Sequence, residues 1–423
     1  MTGEVDMFKG PIRGLLMLGV FATALVGAAC GSSPTSSNAT EPTADIQIYS
    51  QKDPGLEDLL KQQITEFEGL HKTITVKIVH YSTEDLRTNF QTAAIAHTGP
   101  ELVYGPNDNI GPWVTLKIIQ PIDSVMGSDF INQFAKNAVG AVSYKGHVYA
   151  APDINGNHLM LLYNKKLIQT PPATTDDLIA KGKALTDTSK NQFGLVFNEN
   201  EAFWLMPWIG GFGGAVFDAN TKPTLNTQAV IDALAFERSL KTQGVAPNTA
   251  DYAKADSLFS SGNAAMLING DWSLAAYTKA LGSNFGIAPL PQVSKTSKWA
   301  APYTASRGYS INAATTGDKL AAAKIFLRFI SQASQNVKVA PLGNIPANAA
   351  AANDSTVKAD PILSASAAAL VHGVPQPIVP EMRAIYDAIK TPLADVMNGK
   401  QDPAAAAAAM QSDAVTRIAQ LQQ

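Results

Sequence analysis

The sequence predicts an α/β chain of two domains built on doubly wound, mainly parallel sheets flanked by helices, and three observations carry the prediction. From Asp45 to Tyr104 the hydrophobic pattern runs strand, helix, strand, helix, strand, the order that winds a parallel sheet. Beyond residue 30 the 423-residue chain is long enough for two domains of ordinary size. The stretch Ser261 to Trp272 passes from a polar turn at Gly262-Asn263 through the apolar run Ala264 to Ile268, stops at Asn269-Gly270-Asp271 and delivers Trp272. That is the pattern of a buried strand opening into a loop at its C-terminal end, where open α/β sheets bind ligands. Trp272 either stacks on a ligand or fills core, since large aromatics do both.

Taken in order, residues 1–30 read as a leader. Lys9 and Arg13 precede an apolar run from Leu15 to Val26, too short for a comfortable membrane span, and Gly27-Ala28-Ala29-Cys30 follows. Small residues before Cys30 suit signal-peptidase cleavage. The segment resembles a bacterial lipobox, with Gly27 where that pattern prefers Leu. Glu4 and Asp6 are unusual in a basic leader, and a start at Met7 would remove both. Cys30 is the only cysteine, so no intramolecular disulfide, cysteine metal site or thiol triad is available. At the head of a mature chain it is a lipid acceptor, and two or three acyl chains anchor stably. Residues 31–44 are mostly Ser, Thr, Pro, Asn and Gly, a flexible tether.

The formal net charge of −3 is spread without blocks and gives nucleic-acid binding no support. No later apolar run reaches membrane-spanning length. Six histidines, at 71, 80, 97, 147, 158 and 372, form no i, i+4 pair and no His-Glu-x-x-His, so no metal site is expected. There is no Gly-x-Ser-x-Gly elbow. Gly210 to Gly214 is glycine-rich but lacks the lysine of a phosphate-binding loop. No catalytic residue and no cofactor follow from these motifs. Asp108, Glu201, Asp271 and Glu381 leave a carboxylate-pair hydrolase formally open.

In the first domain, Asp45 to Ser50 reads as a strand, Pro54 to Leu70 as an amphipathic helix with Leu56, Leu59, Leu60, Ile64 and Phe67 on one stripe, and Thr73 to His80 as an alternating strand. Glu84 to Ala96 is a helix, and Gly99 to Tyr104 a short buried strand ending in Gly105-Pro106-Asn107-Asp108-Asn109. Gln51, Asn107, Asp108 and Asn109 thereby fall at strand C-termini, facing a cleft. Tyr144 to Pro152 forms a hairpin around Lys145-Gly146, and the polar stretch Asp153 to Asn157 crosses to a second domain that opens with the strand His158 to Lys165.

Thr174-Thr175-Asp176-Asp177 caps the helix Leu178 to Leu185. Phe203 to Ile209 is the densest aromatic cluster, with Pro207 breaking or kinking its helix and Glu201 just ahead of it. Trp208, after Pro207 in an apolar run, reads as core. Helices follow at Val230 to Gln243 and Tyr252 to Phe259. Phe285 to Pro291 is an extended second crossing, Ala305 to Asn312 a returning strand, and Leu320 to Ile330 its helix. Pro341 to Asn348 is a helix-breaking turn. From about Asp354 the chain crosses again and ends in helices, including Pro380 to Ile389 and the alanine-rich Pro403 to Leu421.

The segment Ser261 to Trp272, the Tyr163-Asn164 strand and the segments at Ala305 to Asn312 and Pro341 to Asn348 resemble, in order across nearly the whole chain, the maltose-binding family of extracellular solute-binding proteins, the sugar receptors of ABC importers. The resemblance implies the two-lobed type II periplasmic binding fold, with lobe 1 formed by 45–153 and 295–352 and lobe 2 by 157–291 and 354–423. It implies that the chain is not an enzyme and that a carbohydrate sits between the lobes, held by Gln51, Asp108, Asn109, Asn157, Glu201, Trp204, Trp272, Arg307 and Tyr386. Asp108 matches a family acid that takes sugar hydroxyls, and Trp272 a stacking tryptophan. Tyr386 and Gly105 fall where maltose-binding proteins carry further tryptophans, which implies a smaller ligand or a different sugar from a long maltodextrin. The implied partners are a two-subunit permease with a separate ATPase and, through Cys30, the outer face of the cell membrane, for a monomeric, extracytoplasmic protein. A receptor of the same fold for a polyamine, phosphate ester or metal chelate, a glycoside hydrolase or lyase, and an adhesive lipoprotein remain as alternatives.

Overall fold

Each element starts where local chemistry gives the backbone a reason. The computed structural model describes residues 41–421, so the leader, Cys30 and residues 31–40 of the tether lie outside the described residues. β1 (Ala44–Ser50) leads to α1 (Pro54–Leu70), which begins on a proline whose missing N–H costs nothing there and turns Leu56, Leu60, Ile64 and Phe67 inward. β2 (Ile74–His80) alternates, with Ile74 and Val76 buried. α2 (Thr83–Ile95) is capped by the Ser82 side chain, which accepts from the Asp85 N–H. β3 (Leu102–Pro106) runs past Tyr104, and Asn107–Asn109 follow it as a 3-10 turn. The hairpin around Lys145-Gly146 forms between Ser143–Tyr144 and His147–Val148.

β4 (Ala151–Gly156) and β5 (Leu159–Asn164) follow. α3 (Thr175–Leu185) starts at the Thr174 cap, which accepts from the Asp177 N–H. After β6 (Phe193–Phe197), α4 (Ala202–Gly211) continues through Pro207, whose carbonyl accepts from the Ala301 N–H at 2.9 Å. Then come α5 (Gln228–Thr242), α6 (Tyr252–Ser260), β7 (Ala264–Gly270), β8 (Phe285–Ala288) and β9 (Tyr303–Ile311). The chain finishes with α7 (Gly317–Ile330), β10 (Ile345–Pro346), α8 (Pro361–Leu370), β11 (Val374–Pro375), α9 (Glu381–Met397) and α10 (Pro403–Leu421).

Apart from two two-stranded hairpins, the strands of the described residues make two sheets. The larger runs β10-β4-β9-β3-β1-β2, with β11 beside β9; the smaller runs β8-β5-β7-β6. In the larger sheet β1 is parallel to β2 and β3, as the strand-helix alternation requires, while β9 enters antiparallel between β3 and β4. The smaller sheet is less parallel than the alternation implies: only β6 and β7 run together, because β5 arrives from the other sheet and not through its own helix. β5 reads as a continuous apolar run because both its faces are covered. Leu159 and Leu161 lie in a core with α4, α5, α9 and α10, and Met160 and Leu162 in another with α6. A separate core around Ile48, Phe67, Phe90 and Phe326 fills the larger sheet.

Two expected crossings move. Asp153 to Gly156 is strand, not connection, because its polar groups are satisfied in place: Asp153 pairs with buried Lys52 and accepts from Asn336, and the Ile154 carbonyl accepts from Ser306. The link between the sheets shrinks to Asn157 and His158. Residues 295–301, expected to lie in the first domain, belong with Gln292–Val293 to a hairpin, and Val293 and Ala300 pack in the second core. Gly210 and Gly211 permit this, since an added Cβ would stand 2.7 Å from Ala301 Cβ and 2.6 Å from Val293 Cγ2.

Candidate ligand-binding site

Strand ends from both sheets converge on one cavity of about 550 Å³. β1 delivers Gln51 and Asp53, β3 delivers Asp108, β6 delivers Glu201 and β7 delivers Trp272. These are C-terminal ends, where the chain must leave the sheet and polar residues can face a crevice.

One wall is aromatic. Trp272 lies back over Gly270, where a Cβ would sit 2.1 Å from its ring, so the Asn-Gly-Asp-Trp order lets the indole fold over the strand end. Its Nε1 donates to the Tyr252 hydroxyl at 3.0 Å, and Trp204 Nε1 donates to the Ile268 carbonyl at 2.9 Å. Phe203 completes the wall, its ring centroid 6.2 Å from that of Trp272.

The opposite side is polar. Arg307 is buried on β9, donating to Asp53 and to Asn344, each at 2.9 Å. Burial works against its charge, but the carboxylates of Asp53 and Asp271 hold the guanidinium protonated. Arg87 donates to Asp108 at 3.2 Å and, through Nε, to Asn109 at 2.7 Å. Four buried polar atoms of the lining have no partner among the described residues: Gln51 Oε1, Asp108 Oδ1, Gln376 Oε1 and Arg307 Nε. Buried polar atoms in folded proteins are nearly always bonded, so these four have hydrogen-bonding capacity left for a polar ligand.

Glu201 makes no ion pair among the described residues. Although one side of it meets solvent, burial against the cleft wall raises its carboxyl, Asn198 pulls it back, and the charge of Glu84 adds to the rise. It does not pair with Arg307, whose carboxylate partner is Asp53. Tyr386, on α9, accepts from Gln376 at 2.9 Å, and burial raises its hydroxyl well above the usual range.

The connection between the sheets touches this site. Asn157 has φ 50 and its N–H donates to Asp271 Oδ2 at 2.8 Å, while Gly156 has φ 152 and could carry no Cβ there, since Asp271 Oδ2 would lie 2.2 Å away. His158 is fully buried and bonded to the Ser366 carbonyl at 3.0 Å; burial lowers its pKa despite nearby Asp271.

Of the nine residues singled out from the sequence, Gln51, Asp108, Asn157, Glu201, Trp204, Trp272, Arg307 and Tyr386 line the cavity. Asn109 does not: it is fully buried in the 3-10 turn, its side chain bonded to Arg87, which does line the cavity. Trp208 is core, as its position after Pro207 indicates. The sequence reading missed Glu84, Arg87, Tyr252, Gln376 and Arg383. Arg383 and Lys390 were within reach, because both share the face of α9 set by Tyr386. Asp271 is buried behind the wall, and neither it nor Glu381 lines the cavity.

A family model described as bacterial extracellular solute-binding protein matches residues 62–365. The chain belongs to that family. Among its relatives in the family, the maltotriose-binding protein of Pyrococcus abyssi is 31% identical over 327 residues, 76% of this chain and 71% of that one. The galactooligosaccharide-binding protein of Bacillus subtilis is 24% identical over 400 residues, 90% of this chain and 91% of that one. The maltose/maltodextrin-binding domain MalE from Bdellovibrio bacteriovorus, solved bound to maltotriose, superposes with a TM-score of 0.84 at 39% identity, covering 89% of this chain and all of that one. The solute-binding chain therefore has the two-lobed type II periplasmic binding fold. Among the described residues no helix is long and apolar enough to cross a membrane.

Proposed function

We propose that this solute-binding protein is the extracytoplasmic carbohydrate receptor of an ABC importer, closing on a short oligosaccharide and delivering it to a permease driven by a separate ATPase. The observation that carries the reading is the pairing of the Trp272 wall with unpartnered polar atoms at Gln51, Asp108 and Gln376 across one cavity. A pyranose has apolar faces that stack on an indole and a rim of hydroxyls that needs donors and acceptors. The saccharides named for the relatives support the same ligand class. In this reading Cys30 holds the lipid anchor, the protein is a monomer, and no catalysis occurs. In this reading one link between the lobes is Asn157-His158. Asp108 is tied to Arg87 and Asp271 is buried away, which disfavours a hydrolytic carboxylate pair.

The test is a thermal-shift panel on residues 31–423 with maltotriose, galacto-oligosaccharides, monosaccharides, a polyamine and a sugar phosphate, with product analysis after long incubation. A rise with a neutral saccharide and no product supports the receptor. A rise only with the charged compounds moves the assignment to a non-sugar receptor, and cleaved sugar makes it a hydrolase.

A further inference from the structure

Glu84 opens the first turn of α2 and Arg383 the first turn of α9, and Arg383 Nη1 donates to Glu84 Oε1 at 3.1 Å. The two helices belong to different lobes. Leu86 and Phe90 of α2 pack in the core of the larger sheet, and Met382 and Ile385 of α9 in a core of the smaller one. This bond therefore spans the cleft. Each end is braced on its own side, Glu84 by Arg87 at 2.9 Å and Arg383 by Asp387 at 2.8 Å. Burial opposes the charge of Glu84, yet Arg87 and Arg383 outweigh it and hold the carboxyl below its usual range. A second contact lies at the start of α9. An added Cβ at Gly111, in the short helix Ile110–Thr115, would stand 1.9 Å from the Ile378 carbonyl oxygen, so the two surfaces meet backbone to backbone there.

We propose that Glu84 and Arg383 form an interlobe latch that slows reopening and so sets how long a captured ligand stays. The proposal rests on the reading that the cleft closes on its ligand. Opening separates the two charges while leaving Arg87 and Asp387 with their own-side partners, so the latch is lost with the closed state and remade with it. The side chains of Glu84 and Arg383 are 62% and 39% exposed, which limits the pair to a modest effect that salt screens. That effect falls on dissociation, not on folding.

The test is stopped-flow dissociation of maltotriose from the wild type, Glu84→Gln, Arg383→Gln and the double variant, at about 50 mM and about 500 mM salt. Each single variant should release ligand roughly threefold to fivefold faster at low salt, in line with exposed pairs. The double variant should be no faster than either single one, the differences should vanish at high salt, and the ligand-free melting temperature should not move. Unchanged rates overturn the latch, as do multiplying effects in the double variant, which would mean two separate ligand contacts. If no saccharide binds, the carbohydrate reading fails, and the latch is read in free protein from the distance between dyes placed one on each lobe. Equal closed fractions in wild type and Glu84→Gln overturn it there.

Discussion

Trp204 and Trp272 meet edge to face, with ring centroids 6.1 Å apart and planes at 76°. Their anchors differ. Trp204 is 4% exposed and hydrogen-bonded to the β7 backbone, whereas Trp272 is half-buried and hydrogen-bonded to the Tyr252 hydroxyl. Trp204 thus holds the plane that Trp272 presents to the cavity.

Replacing the two should therefore separate binding from stability. Trp272→Ala should weaken saccharide binding by roughly tenfold to a hundredfold, as loss of a central aromatic anchor does, with a small change in melting temperature. Trp204→Ala should cost about 3–5 kcal/mol of folding stability as well, the range for large buried aromatics. Calorimetric titration and denaturant melts on both variants check this.

The unpartnered oxygens of Gln51 and Gln376 predict a different signature. Gln51→Ala and Gln376→Ala should each weaken saccharide binding by roughly tenfold, from the loss of one hydrogen bond to a buried group. The ligand-free Gln51→Ala protein should melt no lower, because the Gln51 oxygen has no partner among the described residues, whereas Gln376→Ala should also cost about 1 kcal/mol of stability from the lost bond to the Tyr386 hydroxyl. A lowered melting temperature in Gln51→Ala would mean that this side chain supports the fold.

Arg307 behaves in the opposite way. It is 3% exposed and bonded to Asn344 and to Asp53, whose side chain is 36% exposed, so Arg307→Ala should cost about 1–3 kcal/mol, the loss of charge-assisted hydrogen bonds with a partner that water can reach, and should weaken binding too. Urea unfolding curves give the first number.

Glu237 predicts a pH dependence. It is 1% exposed; burial, with the charge of Glu199 added and Trp208 acting the other way, pushes its carboxyl from 4.5 up to about 8. Between those values the folded state holds a proton that the unfolded state has released, so this group's contribution to stability falls as pH rises through that window. Glu237→Gln removes the dependence. The variant should gain on the wild type from about pH 5 to about pH 8, by at most a few kcal/mol at about 1.4 kcal/mol per pKa unit. Parallel stability curves for the two proteins across that range would refute it.

The strand ends were legible in the sequence because they combine two local signals, an apolar run and an abrupt polar stop, as at Ile268 to Trp272 and Tyr104 to Asp108. Sequence patterning could not reveal that Asp153 to Gly156 is strand, because the groups that satisfy it come from Lys52, Ser306 and Asn336, far along the chain. The burial of Asn109 was hidden for a related reason: the bond that satisfies its side chain comes from Arg87, 22 residues back along the chain. Glu84 and Arg383 are 299 residues apart, and neither has a local pattern that names the other.

The central claim is that a neutral oligosaccharide is held in this cleft against Trp272, and calorimetric titration of residues 31–423 with maltotriose, beside Trp272→Ala, tests it most directly. The account predicts saturable one-to-one binding that the substitution weakens by at least about tenfold, with a stability gain near 2.7 kcal/mol at a hundred times the dissociation constant. Equal affinity in the two proteins would contradict stacking on Trp272. Absence of heat with maltotriose and every other neutral sugar, alongside binding of a charged solute, would contradict the carbohydrate assignment itself.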